Sequence, residues 1–125
     1  MKVLLDTSVV IDVLRGVPQA LDYARGLDDI PTCSEITRVE IMRGVRSAER
    51  RRTERLFSVV HWMELTEAIS RRASNLGRTF RRTHAGLATA DLVIAATALE
   101  AGLSIATRNV RHFPMFPRLA PPYVV

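Results

Sequence analysis

The sequence predicts an α/β domain with a mainly parallel sheet of about four to five strands flanked by helices. Short apolar runs alternate with helical segments along the chain, the order that arises when parallel strands are joined by crossover helices. The segment Thr89–Ala101 is apolar almost all round, as expected of a helix packed at the centre of a domain. A length of 125 residues suffices for one core but not for two ordinary ones, so residues 1–125 are read as a single domain.

Val3–Leu5 is the first strand, an apolar run that stops on Asp6. A short helix from about Ser8 ends at Gly16, which suits the left-handed residue after a helix. Pro18 fits the first turn of a second helix reaching about Leu27. Ile30–Ser34 reads as the second strand, with a helix from near Thr37 to about Arg46 behind it. An arginine-rich helix over roughly Ala48–Phe57 leads into a third strand in VVHWMEL. A long helix spans about Glu67–Arg82; the apolar helix Thr89–Ala101 then closes on Gly102, and Leu103–Thr107 is the fourth strand. The proline-rich tail FPMFPRLAPPYVV is read as adding a short final strand.

An apolar fraction of 47% belongs to a globular chain rather than a disordered one. A net charge of +5 and a pI near 10.6 favour an anionic partner, most commonly nucleic acid. Cys33 is the only cysteine, so no disulfide forms within the chain and no thiol pair offers a zinc site. Asp6 and Asp12 interrupt what would be the apolar core of a signal peptide, and no stretch reaches the ~20 apolar residues of a membrane span. The expectation is a cytoplasmic protein with no membrane partner.

Three acids stand at or near element starts. Asp6 follows the first strand, Glu40 lies in TRVEIMRG after the second, and Asp91 lies in TADLVIAATALEAG at the head of the central helix. Each has an ordinary explanation. Thr37 and Glu40 have the spacing of a capping box, Asp91 suits the positive end of a helix dipole, and Asp6 can bond the amides of the next turn. Yet all three are embedded in apolar sequence, where a carboxylate is costly. If the fold gathers them, like charges ~4 Å apart repel by about 4 kcal/mol at an effective dielectric of 20. Such a cluster shares protons or binds a cation, and a hard divalent ion suits an all-oxygen site.

Together, LLDTSVVID, TRVEIMRG, TADLVIAATALEAG and IATRNVRHF resemble the PIN-domain ribonucleases, and within them the VapC-type toxins of toxin–antitoxin pairs. The resemblance runs through nearly the whole chain with its blocks in order. It implies a three-layer PIN-like fold and an acidic Mg²⁺ site, with Mn²⁺ as a substitute. It also implies hydrolysis of single-stranded or looped RNA, with tRNA or rRNA as the expected target. The implied partners are a cognate VapB-type antitoxin, a second copy of the chain in a homodimer, and DNA only indirectly through the antitoxin. Asp6, Glu40 and Asp91 match the metal-binding acids, and Thr7 and Thr107 the supporting hydroxyl residues. Asn109 and His112 fall where many relatives carry acids, so the chain departs from the pattern there; Asn109 is the candidate to orient a water. The alternative is a non-catalytic RNA- or partner-binding PIN module.

The runs AERRRTERLF and RRASNLGRTFRR hold most of the positive charge. Glu49 and Glu54 offer helix-spaced pairs to the first run, and some of the arginines are expected to track RNA phosphates. Trp62 is assigned to the core, Phe113, Phe116 and Tyr123 to packing of the tail or a dimer face, and Asp12 to solvent. His61, His84 and His112 lie in different elements, a poor basis for metal-free acid–base catalysis.

Overall fold

The computed structural model describes residues 2–125. Four strands, β1 (Val3–Leu5), β2 (Thr32–Ser34), β3 (His61–Met63) and β4 (Ser104–Ala106), form one parallel sheet in the order β3-β2-β1-β4. Six α-helices accompany them: α1 (Thr7–Leu14), α2 (Pro18–Arg25), α3 (Glu35–Met42), α4 (Arg50–Phe57), α5 (Glu67–Thr79) and α6 (Thr89–Ala101). The α/β class and parallel sheet are as the sequence predicts.

Side-chain alternation along β1 divides the core. Val3 and Leu5 pack with Val9 and Val10 of α1, Ile41 of α3 and Phe57 of α4, while Leu4 points the other way onto Ile94, Ala95 and Ala98 of α6. Residues Val93–Ala98 of α6 are all buried, because the helix faces the sheet on one side and Ile69 and Ala73 of α5 on the other. Only an apolar surface all round satisfies both faces. Gly102, at φ +66°, ends α6 in the left-handed conformation and lets Leu103 N–H reach back to the Ala98 carbonyl at 2.9 Å.

Several boundaries differ from expectation. The tail adds no strand; four of its residues are proline, which cannot donate to a ladder beside β4. Instead it folds back by its aromatics: Phe113 is buried beside Ile94, and Tyr123 packs toward α1. Helix α3 begins at Glu35, because Ser34 Oγ accepts the Ile36 N–H at 3.2 Å, and it stops at Met42. Helix α5 stops at Thr79; after Phe80 come Arg81 and Arg82, which are exposed and give the helix nothing further to bury against α6. Strand β2 starts at Thr32, with Ile30 left in solvent. Among the described residues, no helix is long and apolar enough to cross a membrane.

Candidate active site

Strand β1 is central: the chain steps outward through β2 and β3 on one side and places β4 on the other. The sheet's direction of winding reverses between β1 and β4, and in open α/β sheets the crevice beyond the carboxyl ends at such a point receives ligands. Asp6 leaves β1 there, and Thr107 leaves β4.

Asp6 occupies the N-cap position of α1, yet its side chain caps nothing. Its carbonyl receives the Val9 and Val10 amides, which frees the carboxylate for tertiary bonds. Oδ2 accepts two hydroxyls, from Thr107 Oγ1 and from Ser8 Oγ, each at 2.7 Å. Asp6 and Thr107 are both buried, so these bonds lie in a poorly solvated seam where a carboxylate needs them.

The second acid is wired to the same seam. Thr7 Oγ1 donates to Glu40 Oε1 at 2.7 Å and lies 2.9 Å from Thr37 Oγ1. A hydroxyl has one proton; with that of Thr7 given to Glu40, Thr37 donates to Thr7. This overturns the capping-box reading of Thr37 and Glu40. Because α3 starts at Glu35 and is capped by Ser34, Thr37 already lies inside the helix and Glu40 sits in its second half rather than at its start.

Asp91 stands in the first turn of α6, and His112 Nδ1 lies 3.1 Å from its Oδ2. Burial pushes the Asp91 carboxyl above the ordinary aspartate value. The negative charges of Asp6 and Glu40 push the same way, against His112 and a hydrogen bond from the Ala88 backbone. The fold thus brings all three acids within electrostatic reach of one another. Among the described residues, however, no three Asp, Glu, His or Cys side chains are drawn close enough to hold a metal as they stand. The donor set still fits a hard divalent cation: three carboxylates with hydroxyl support, whose mutual repulsion a cation would relieve. Asn109 is exposed on the loop after β4, where its amide nitrogen bonds Thr107 Oγ1 at 3.0 Å; its carboxamide bonds none of the acids.

One cluster escaped the sequence reading. Asp12 does not face solvent; it is 5% exposed. Arg108 Nη1 reaches its two oxygens at 3.2 and 2.9 Å, and the Tyr123 hydroxyl donates to Oδ2 at 2.7 Å. Burial, and then the bond to Asp12, raise the Tyr123 pKa, keeping the phenol protonated as a donor. The Arg108 amide also bonds Ser8 Oγ at 3.3 Å, linking this clasp to Asp6. The available signal was an acid inside the apolar run VVIDVL. Its partners, 96 and 111 residues away, could not be read locally.

The remaining aromatics and thiol behave structurally. Trp62 donates Nε1–H to the Phe57 carbonyl at 2.8 Å, meets the Phe57 ring at 4.8 Å, and carries the Arg38 guanidinium 4.1 Å above its own ring. Burial pushes the Cys33 thiol up to about 12, with Asp6 adding to the shift and Arg38 opposing it, so no thiolate forms at neutral pH. Of the three histidines, only His112 pairs with one of the acids.

A family model described as PIN domain matches residues 3–119. The chain is 43% identical over 124 residues to Ribonuclease VapC19 of Mycobacterium tuberculosis, covering 96% of this chain and 98% of that protein. It is 41% identical over 125 residues to Ribonuclease VapC10 of the same organism, covering 98% and 94% respectively. Its fold matches a chain of a toxin–antitoxin complex from Klebsiella pneumoniae with a TM-score of 0.85 and 27% identity, covering 98% of this chain and 99% of that one.

Proposed function

The chain belongs to the PIN domain family, and from that premise we propose that it is a metal-dependent endoribonuclease, the toxin of a VapBC-type toxin–antitoxin pair. The observation that carries this reading is the seam at the β1–β4 switch point. There Asp6 and Glu40 are each fixed by threonine hydroxyls, with Asp91 near enough for their charges to raise its pKa. Near-full-length similarity to two proteins named as VapC ribonucleases supports the activity. Similarity to a toxin–antitoxin complex supports an antitoxin partner.

Dependence on a divalent cation goes with the family; we assign the ion as Mg²⁺, with Mn²⁺ able to replace it, held by Asp6, Glu40 and Asp91. Held there, such an ion would supply stabilisation of phosphoryl charge and a lowered pKa for water. The chain's own contribution is placement. Thr107 and Ser8 set the rotamer of Asp6, Thr7 sets that of Glu40, and His112 holds Asp91 from the loop side. Asn109, one residue past Arg108 on that loop, is assigned to orient the water. The water oxygen bonds to phosphorus as the bond to the 3′-oxygen breaks; the water gives up one proton to solvent, and the departing oxygen takes one up from solvent. The product carries a 5′-phosphate, with no part played by the 2′-hydroxyl. The RNA is single-stranded or looped, within tRNA or rRNA, and the protein works in the cytoplasm as one domain in a homodimer.

The test is cleavage of structured RNA by purified protein with Mg²⁺, beside Asp6→Asn and beside wild type in EDTA. Product 5′-phosphates from the wild type alone are expected. Equal cleavage in EDTA would sink the metal-dependent reading, and tight RNA binding without product under Mg²⁺ or Mn²⁺ would favour the non-catalytic module.

A further inference from the structure

Which arginines meet RNA is a question the sequence left open, and the structure separates them by what each already binds. Arg50 is paired with Glu54 at 3.0 Å, Arg71 with Glu67 at 2.9 Å and Arg72 with Glu100 at 2.6 Å. Several others have no acid partner among the described residues, and of these Arg15 and Arg52 both line one cleft of about 250 Å³ between α1, α3 and α4. Glu40 lines that cleft too, so the cleft reaches one acid of the seam. Its walls include Ile11, Leu14 and Val45, an apolar surface unusual beside two cations. The cleft's other acid, Glu49, accepts the Arg46 amide at 3.1 Å and bonds neither arginine.

This combination matches a nucleotide. A strand leaving the scissile phosphate carries one anion per residue past carboxylates that repel it, and arginine suits phosphate by its planar donor fork. A base or sugar needs apolar surface beside that charge. Arg15, at the carboxyl end of α1, also has a helix dipole to answer. Arg52, inside α4, has no such local reason.

Resting on the ribonuclease reading above, we propose that this cleft is the subsite for a nucleotide flanking the scissile bond, with Arg15 and Arg52 holding RNA phosphates and Ile11, Leu14 and Val45 lying against base or sugar. An acidic segment of a protein partner is the competing occupant. RNA is favoured because the cleft is continuous with Glu40, where the cut strand must pass.

The experiment measures binding of a short fluorescein-labelled single-stranded oligoribonucleotide in EDTA, across a salt series, by wild type, Arg15→Gln, Arg52→Gln and Arg50→Gln. Arg15→Gln and Arg52→Gln should each weaken binding by roughly three- to tenfold. Each should also flatten the slope of log affinity against log salt by roughly 0.7, one phosphate contact on a single strand. Arg50→Gln should match wild type, and melting temperatures should shift by no more than roughly a few degrees in any variant. Wild-type affinity and slope in both cleft variants would overturn the proposal, as would a loss confined to antitoxin affinity. Binding through both arginines by a chain that never cuts RNA would leave the subsite standing and overturn the ribonuclease reading. Cutting with unchanged slopes would do the reverse.

Discussion

The two halves of the acidic site are held in different ways. On one side, Asp6 and Glu40 belong to a seam in which the hydroxyls of Ser8, Thr107 and Thr7 each donate to a carboxylate at 2.7 Å, and Thr37 backs Thr7 at 2.9 Å. On the other, Asp91 is restrained by His112, half exposed on a loop, at 3.1 Å. The first half is organised before anything binds. The second has fewer restraints, and its carboxyl pKa is raised first by burial and then by the charges of Asp6 and Glu40. Four hydroxyls support one side of the cluster and a single partly exposed imidazole supports the other.

The largest expected effect tests the rigid half directly. Asp6→Asn should lower cleavage by well over 100-fold, beyond the roughly 10–100-fold typical of residues that only orient a ligand. Single-turnover cleavage and Mn²⁺ titration would both report it. Thr107→Val, which keeps shape and removes the 2.7 Å donor, should fall within that roughly 10–100-fold range. His112→Asn on the loose side should cost only a few-fold, since its contact is longer and half exposed. Equal losses for Thr107→Val and His112→Asn would erase the contrast.

A smaller effect concerns the clasp behind the seam. Tyr123→Phe removes one donor from buried Asp12 and should cost about 1 kcal/mol in urea unfolding, with Arg108 still in place. Arg108→Ala should cost more, about 1–3 kcal/mol, because most of the compensation for a buried charge goes with it. It should also loosen the 107–112 loop in hydrogen exchange.

The smallest effect has the opposite sign. Burial raises the Asp91 pKa, so the folded chain holds that proton more tightly than the unfolded one. Stability therefore falls as pH rises from the ordinary aspartate value through the raised one. Asp91→Asn should raise the melting temperature of the metal-free protein by roughly a few degrees at pH 7. That gain should shrink as pH falls below the raised value, and Mg²⁺ should stabilise the wild type more than the variant.

Much of the fold is legible locally. The strands, the central helix and its closing glycine were legible because apolar period and turn chemistry are local. The three acids stood out because carboxylates inside apolar runs are costly wherever the chain folds. Family resemblance then supplied their company. Pairings between distant residues emerge only once the chain is folded. Thr37 and Glu40 have the spacing of a cap, yet Ser34 caps the helix and Glu40 turns to Thr7. Asp12 has the composition of a surface acid until Arg108 and Tyr123 arrive to bury it. The arginines of α4 and α5 look alike in sequence, but some find a glutamate and Arg52 finds the cleft. A side chain's bond partner is set by which elements the sheet order brings together, and that order, β3-β2-β1-β4, is written in no local window of the chain.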